Sequence, residues 1–182
     1  MKKRTEKIPR LLALALLATL LPGAVSPAGD TIYARLEKLA PEGFSISRPL
    51  QFYGTAERKL KDGSIFNYMD GGGVAYLEHG FVELFHAEYA DGSGGEITLD
   101  VFTMGSAPQA RGALEDERVC PAAGAPLAPV PSGRAFRFPP DYFIYFASGR
   151  RLVYLHVNDD RLGLALDRFA GQVHLITAKE EK

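Results

Sequence analysis

The sequence predicts an α+β fold: a single domain with an antiparallel sheet of about four to six strands and helices packed mainly on one face. Three observations predict it. Residues 81–104 and 142–157 each hold two strand-like runs joined by a glycine-containing turn, which is the pattern of a hairpin. Leu162, Leu166, Phe169, Val173 and Ile176 recur at steps of three and four, which marks a closing amphipathic helix. No strand–helix–strand unit carries a dinucleotide fingerprint, so a parallel nucleotide-binding sheet has no support. The chain has 182 residues, of which 46% are hydrophobic, enough for one core and hardly for two.

Residues 1–28 read as a leader outside the fold. Lys2, Lys3, Arg4, Lys7 and Arg10 form a basic head, Leu11–Leu21 an apolar stretch, and Pro22–Ala28 a small-residue tail. The apolar stretch is shorter than the ~20 residues that span a bilayer. Cleavage after Ala28 places Ser26 and Ala28 at the two small positions. The expectation is a signal peptide over 1–28, a single α+β domain over 29–182, and a soluble periplasmic or secreted protein with no membrane association after cleavage.

The mature elements follow in order. Asp30–Ala40 carries Ile32, Leu36 and Leu39 on one stripe, a short helix stopped by Pro41 and Gly43. Phe44–Phe52 predicts a short extended piece ending at Gly54, and Glu57–Lys61 a charged, exposed stretch. Ser64–His79 has a helical face of Ile65, Met69, Tyr76 and Leu77, with Asp62 or Ser64 to cap its start and Gly80 to end it. Gly71, Gly72 and Gly73 interrupt that helix at a cost of about 3 kcal/mol relative to alanine. They mark a kink, a break or a close backbone approach. A phosphate loop is the alternative, but those glycines follow helix rather than strand, and no Lys-Ser/Thr pair comes after them.

In the first hairpin Phe81, Phe85, Ala87 and Tyr89 are expected on one face, with Glu83 as an exception. Ile97, Leu99 and Val101 alternate with Glu96, Thr98 and Asp100, which places Asp100 on the exposed side. Asp91–Gly95 is the turn. Ser106–Gln109 reads as a capping box opening a helix to about Arg118, with Ala110 and Leu114 inward. The proline-rich stretch 121–133 reads as a loop. Residues 135–138, 142–147 and 151–157 are strands, the last two turning at Gly149-Arg150.

Charge and cysteine usage exclude some functions. The chain holds 21 basic and 22 acidic residues; residues 1–28 take five basic and one acidic, leaving 16 and 21, a net of −5. A nucleic-acid binder needs a basic surface, so none is expected as a partner. Cys120 is the only thiol and has no local base to activate it. No serine lies in a Gly-x-Ser-x-Gly elbow.

Tyr68-Met69-Asp70-Gly71, followed by Tyr76-Leu77-Glu78-His79-Gly80-Phe81, resembles the helix motif of an uncharacterised family of exported bacterial proteins whose domain has no assigned function. Ile97–Met104, Ala110, Gly112 and the Glu117-Arg118 pair look like the same family's strand and following helix. The resemblance covers roughly residues 54–170. It implies export and carries over no activity. The family commonly has a small residue and a glutamate where this chain has Gly73 and Val74, so a role resting on that glutamate would be absent here.

Four residues are the candidate ligand-binding set: Tyr68, Asp70, Tyr76 and Tyr145, in an aromatic-lined concavity between sheet and helices. No catalytic residue, metal or cofactor is assigned. His86 and Glu88 share a strand face, but with His156 on another strand no ligand spacing supports a metal site. The expected function is a non-catalytic binding or accessory module for an unknown small molecule or protein. The alternative is a periplasmic hydrolase-like enzyme using Asp70 with His79 or His86. Oligomeric state is not specified by the sequence.

Overall fold

The computed structural model describes residues 32–181. The expected leader, residues 1–28, and the expected helix start at Asp30 lie outside them. The described chain runs α1 (Ile32–Leu36), β1 (Ser45–Ile46), β2 (Gln51–Tyr53), α2 (Ile65–Met69), a 3-10 turn (Asp70–Gly72) and α3 (Gly73–Glu78). It continues through β3 (Phe81–Ala90), β4 (Glu96–Met104), α4 (Ala107–Glu115), β5 (Ala125–Pro126), β6 (Arg134–Phe138), β7 (Asp141–Ser148) and β8 (Arg151–Val157). A 3-10 turn leads into α5 (Gly163–Thr177). No helix among the described residues is long and apolar enough to cross a membrane.

All strands join one antiparallel sheet in the order β1-β3-β4-β8-β7-β6-β5, with β2 also paired to β3. The two expected hairpins are β3–β4 and β7–β8, and they meet in the middle, where Val101 of β4 faces Val153 of β8. Eight strands exceed the four to six expected. The extra ones are two or three residues long: β1 and β2 follow each other along one edge of β3, and β5 borders β6. Segments that short carry no readable alternation. Pro126, which cannot donate to a ladder, is tolerated because β5 is an edge.

Helices cover both faces of the sheet, which corrects the one-sided packing expected. On one face Leu99, Val101, Ile144, Phe146, Val153 and Leu155 pack against Leu166, Phe169 and Val173 of α5 and Ile32 and Leu36 of α1. On the other, Leu84, Phe102, Met104 and Leu152 pack against Ile65 of α2, Tyr76 of α3 and Ala110, Ala113 and Leu114 of α4. The cause lies in adjacent apolar pairs. Val101 and Phe102, like Leu152 and Val153, point to opposite faces and are all buried. Each such side chain contributes about 1.5–3 kcal/mol on burial, so both faces need a cover.

A bulge resets the start of β3. Phe81 pairs with Met104 and Glu83 with Thr103, two residues of one strand against one of the other. Phe81 thereby joins the second face rather than sharing a side with Phe85, Ala87 and Tyr89, as its spacing suggested. Glu83, on the first face, accepts a hydrogen bond from the Tyr33 hydroxyl at 2.7 Å.

The glycine run breaks the helix. Ser64 opens α2, its backbone N–H donating to Asn67 Oδ1 at 2.9 Å. The chain turns at Asp70 and restarts at Gly73. A side chain at Gly73 would stand 3.0 Å from Cγ2 of Ile65, so this glycine lets the two helical pieces fold closely on each other. Gly80, at φ +72°, ends α3 in the left-handed conformation.

Candidate functional site

One row of side chains crosses the second face of the sheet where the helical cover thins. His86 on β3 faces Asp100 on β4, Asp100 faces Tyr154 on β8, and Tyr154 faces Tyr145 on β7. These residues come from four strands and are joined only by register. The broken helix lies above the row and adds Tyr68 from α2 and Tyr76 from α3. Tyr76 stacks on Phe102 with ring centres 4.3 Å apart.

Asp100 is the centre of a polar chain. Its Oδ2 accepts from the Tyr68 hydroxyl at 2.7 Å, and its Oδ1 lies 2.6 Å from His86 Nδ1. His86 Nε2 lies 3.2 Å from Glu88 Oε1, and Glu88 Oε2 lies 3.0 Å from Nε of Arg48. Asp100 is 2% exposed and His86 5%. Burial opposes a charge on His86, but the hydrogen bond and charge of Asp100, followed by those of Glu88, outweigh it and raise the imidazole pKa above its ordinary value. With a carboxylate at each ring nitrogen, the protonated form supplies a donor to both.

Beside this chain lies a cleft of about 360 Å³ lined by Tyr68, Met69, Tyr76, Asp100, Phe102, Tyr145 and Tyr154. The Tyr145 and Tyr154 rings are 4.8 Å apart and tilted by 45°. Burial first, then Asp100 for Tyr68 and Tyr154 and a neighbouring phenol for Tyr76 and Tyr145, push the four phenols far above their ordinary pKa, so all four are neutral. Tyr68 spends its proton on Asp100. The hydroxyls of Tyr76, Tyr145 and Tyr154 make no hydrogen bond to the described residues. The arrangement offers aromatic faces, three uncommitted hydroxyls and one buried carboxylate.

Tyr68, Tyr76 and Tyr145, three of the four residues expected in a concavity, line this cleft together. Asp70 does not. It is exposed at the break after Met69, at φ +45°, and its carboxylate contacts no histidine among the described residues. His79 pairs instead with Asp116 at 2.9 Å, and His156 with Asp141 at 2.7 Å. No three metal-binding side chains converge among the described residues.

Sequence reasoning missed Asp100 and Tyr154 as members of the site and expected Asp100 exposed. The usable signal was parity: Asp100 shares its face with Phe102 and Met104, both apolar, which argued against a wet surface. Cys120 is buried behind the second face, and burial pushes its thiol pKa upward. A larger depression of about 970 Å³ lies at the loop end of the sheet. Its polar groups satisfy one another: Asp91 accepts from the N–H groups of Ser93 and Gly95, and Asp159 holds Arg161. Nothing there converges on a common point.

Fold and site together define a sheet-centred α+β protein with a tyrosine cleft closed by a two-piece helix. No protein-family model matches the chain, and no curated protein matches it in sequence.

Proposed function

We propose that this chain is an exported, non-catalytic binding or accessory module of the uncharacterised exported family it resembles, and that its ligand occupies the tyrosine cleft. One observation carries the reading: Tyr76, Tyr145 and Tyr154 converge beside Asp100 with their hydroxyls uncommitted, in a concavity built from three strands and a broken helix. Pockets of this kind, largely apolar with a few placed polar groups, bind small molecules. The reactive groups needed for acid–base chemistry are engaged elsewhere. His86 is held between Asp100 and Glu88, and no hydrogen bond or ion pair joins Asp70 to a histidine among the described residues. Export rests on the sequence of residues 1–28.

The test is a ligand-detected NMR screen of the mature chain, run beside a panel of hydrolase substrates. Hits that disappear in Tyr145→Leu, without turnover, support the reading. Reproducible turnover abolished by Asp70→Asn overturns it in favour of the hydrolase alternative. Intact mass of the exported protein checks cleavage near Ala28, and full-length chain retained in the cytoplasm refutes it.

A further inference from the structure

We infer that the tyrosine cleft is selective for a small organic cation of the alkylammonium type, held by the rings of Tyr76, Tyr145 and Tyr154 with Asp100 as its counter-charge. The inference rests on the proposed binding role of the same cleft and adds the ligand's charge and class.

Three features of the lining point to a cation. The first is the ring composition. Five of the seven described lining residues are aromatic, and the Tyr145 and Tyr154 rings, inclined to each other rather than stacked flat, border the same volume. Electron-rich ring faces attract an ammonium group, and the attraction grows when the site is desolvated. The second is charge. Among the described residues, Asp100 is the one ionisable carboxylate in the lining, and no lysine, arginine or histidine lines the cleft. An anion would meet a carboxylate that solvent screens poorly and would find no positive partner. Behind Asp100, His86 lies between two carboxylates and Arg48 pairs with Glu88, so the four groups balance in charge, and of them Asp100 is the member that lines the cleft.

The third feature is preorganisation. Each oxygen of Asp100 already accepts one hydrogen bond, from His86 on one side and Tyr68 on the other. These bonds fix the carboxylate before any ligand arrives and leave each oxygen a further lone pair. The Tyr68 ring is held in turn at 4.8 Å from His86 and 5.4 Å from Tyr53. A ligand therefore meets a rigid anionic group inside an aromatic wall and spends little on ordering it. Tyr76 is 7% exposed, with its hydroxyl uncommitted. It can donate to a hydroxyl or carbonyl carried beside the ammonium. The volume of about 360 Å³ is at the small end for ligand pockets, which suits a compact amine.

The experiment compares choline with 3,3-dimethylbutan-1-ol, a neutral molecule of the same shape, by calorimetric titration of the mature chain. The expected result is choline binding at least tenfold tighter than the alcohol. Tyr145→Leu and Asp100→Asn should each weaken choline at least tenfold while circular dichroism confirms the fold. If Asp100→Asn does not fold, Tyr154→Leu takes its place. Sedimentation with phosphatidylcholine vesicles separates the two sources of an alkylammonium. Choline binding with the chain in the supernatant means a free amine, and co-sedimentation lost in Tyr145→Leu means a lipid headgroup. Equal binding of choline and the alcohol, both lost in Tyr145→Leu, overturns the cation selectivity and leaves the binding module standing. Binding of neither probe to the folded chain overturns the inference.

Discussion

His86 and Asp100 face each other across neighbouring strands, Nδ1 to Oδ1 at 2.6 Å, both almost wholly withdrawn from solvent. This pair anchors the tyrosine cleft and links its chemistry to stability. A buried carboxylate with one donor removed is an expensive object, so the two side chains hold each other in place.

The pair sets a pH dependence whose sign is definite. The folded protein holds the His86 proton more tightly than the unfolded chain, because Asp100 and Glu88 favour the charged ring over the opposing effect of burial. The native state therefore binds more protons, and stability falls as pH rises. The contribution is complete below the unfolded value of about 6.5 and is lost as pH climbs through the folded one. Urea midpoints between about pH 5 and 9 should decline for the parent and run flatter for His86→Gln in that window. Identical slopes would show that the ring does not titrate with folding.

Tyr68→Phe removes one of the two donors to Asp100 and little else. A hydrogen bond to a charged group contributes about 1.5–3 kcal/mol, so the variant should lose an amount in that range by urea denaturation. A loss under about 0.5 kcal/mol would mean that the hydroxyl is replaced by another donor without penalty.

The closing helix separates core from surface within two residues, roughly opposite sides of a helix with 3.6 residues per turn. Leu166 is 0% exposed and Leu164 73%. Leu166→Ala should cost about 2–5 kcal/mol. Leu164→Ala should stay within about 0.5 kcal/mol of the parent. Similar effects at both sites would place α5 in a different rotation about its axis.

The break between α2 and α3 stores strain at one position and steric need at another. Asp70 sits at φ +45°, where an L side chain costs of order 1–3 kcal/mol, so Asp70→Gly should raise the melting temperature. Gly73→Ala should lower it, because the new methyl would press on Ile65 at 3.0 Å. Opposite signs at two sites three residues apart are a sharp readout of this turn. A fall for Asp70→Gly would show that its side chain contributes more than its backbone costs.

Cys120 is fully buried and its thiol pKa is raised, so it should react slowly with Ellman's reagent in the native protein. One thiol should titrate promptly once urea unfolds the chain. Rapid reaction without denaturant would reveal an opening of the face that carries the cleft.

Much of the architecture was readable from local pattern. The 81–104 and 142–157 hairpins, the capped start at Ser106, the apolar stripe from Leu162 to Val173 and the left-handed end at Gly80 are recorded in side-chain period and in glycine placement, which depend on near neighbours only. The parity of Phe81 was not, because a bulge shifts register by one residue and leaves no mark in spacing. Nor were β1, β2 and β5, whose two or three residues exist as strands only because a longer strand offers them an edge. The site divides the same way. Tyr76 could be named from the apolar face of the interrupted helix, and Tyr68 from the Tyr68–Gly71 motif. That Asp100 is buried, bonded to His86 and flanked by Tyr154 and Tyr145 follows from a register running across β3, β4, β8 and β7. Residues up to 68 positions apart in the chain meet in that row. Such a row is formed when strands pair, and only the tertiary structure carries that information.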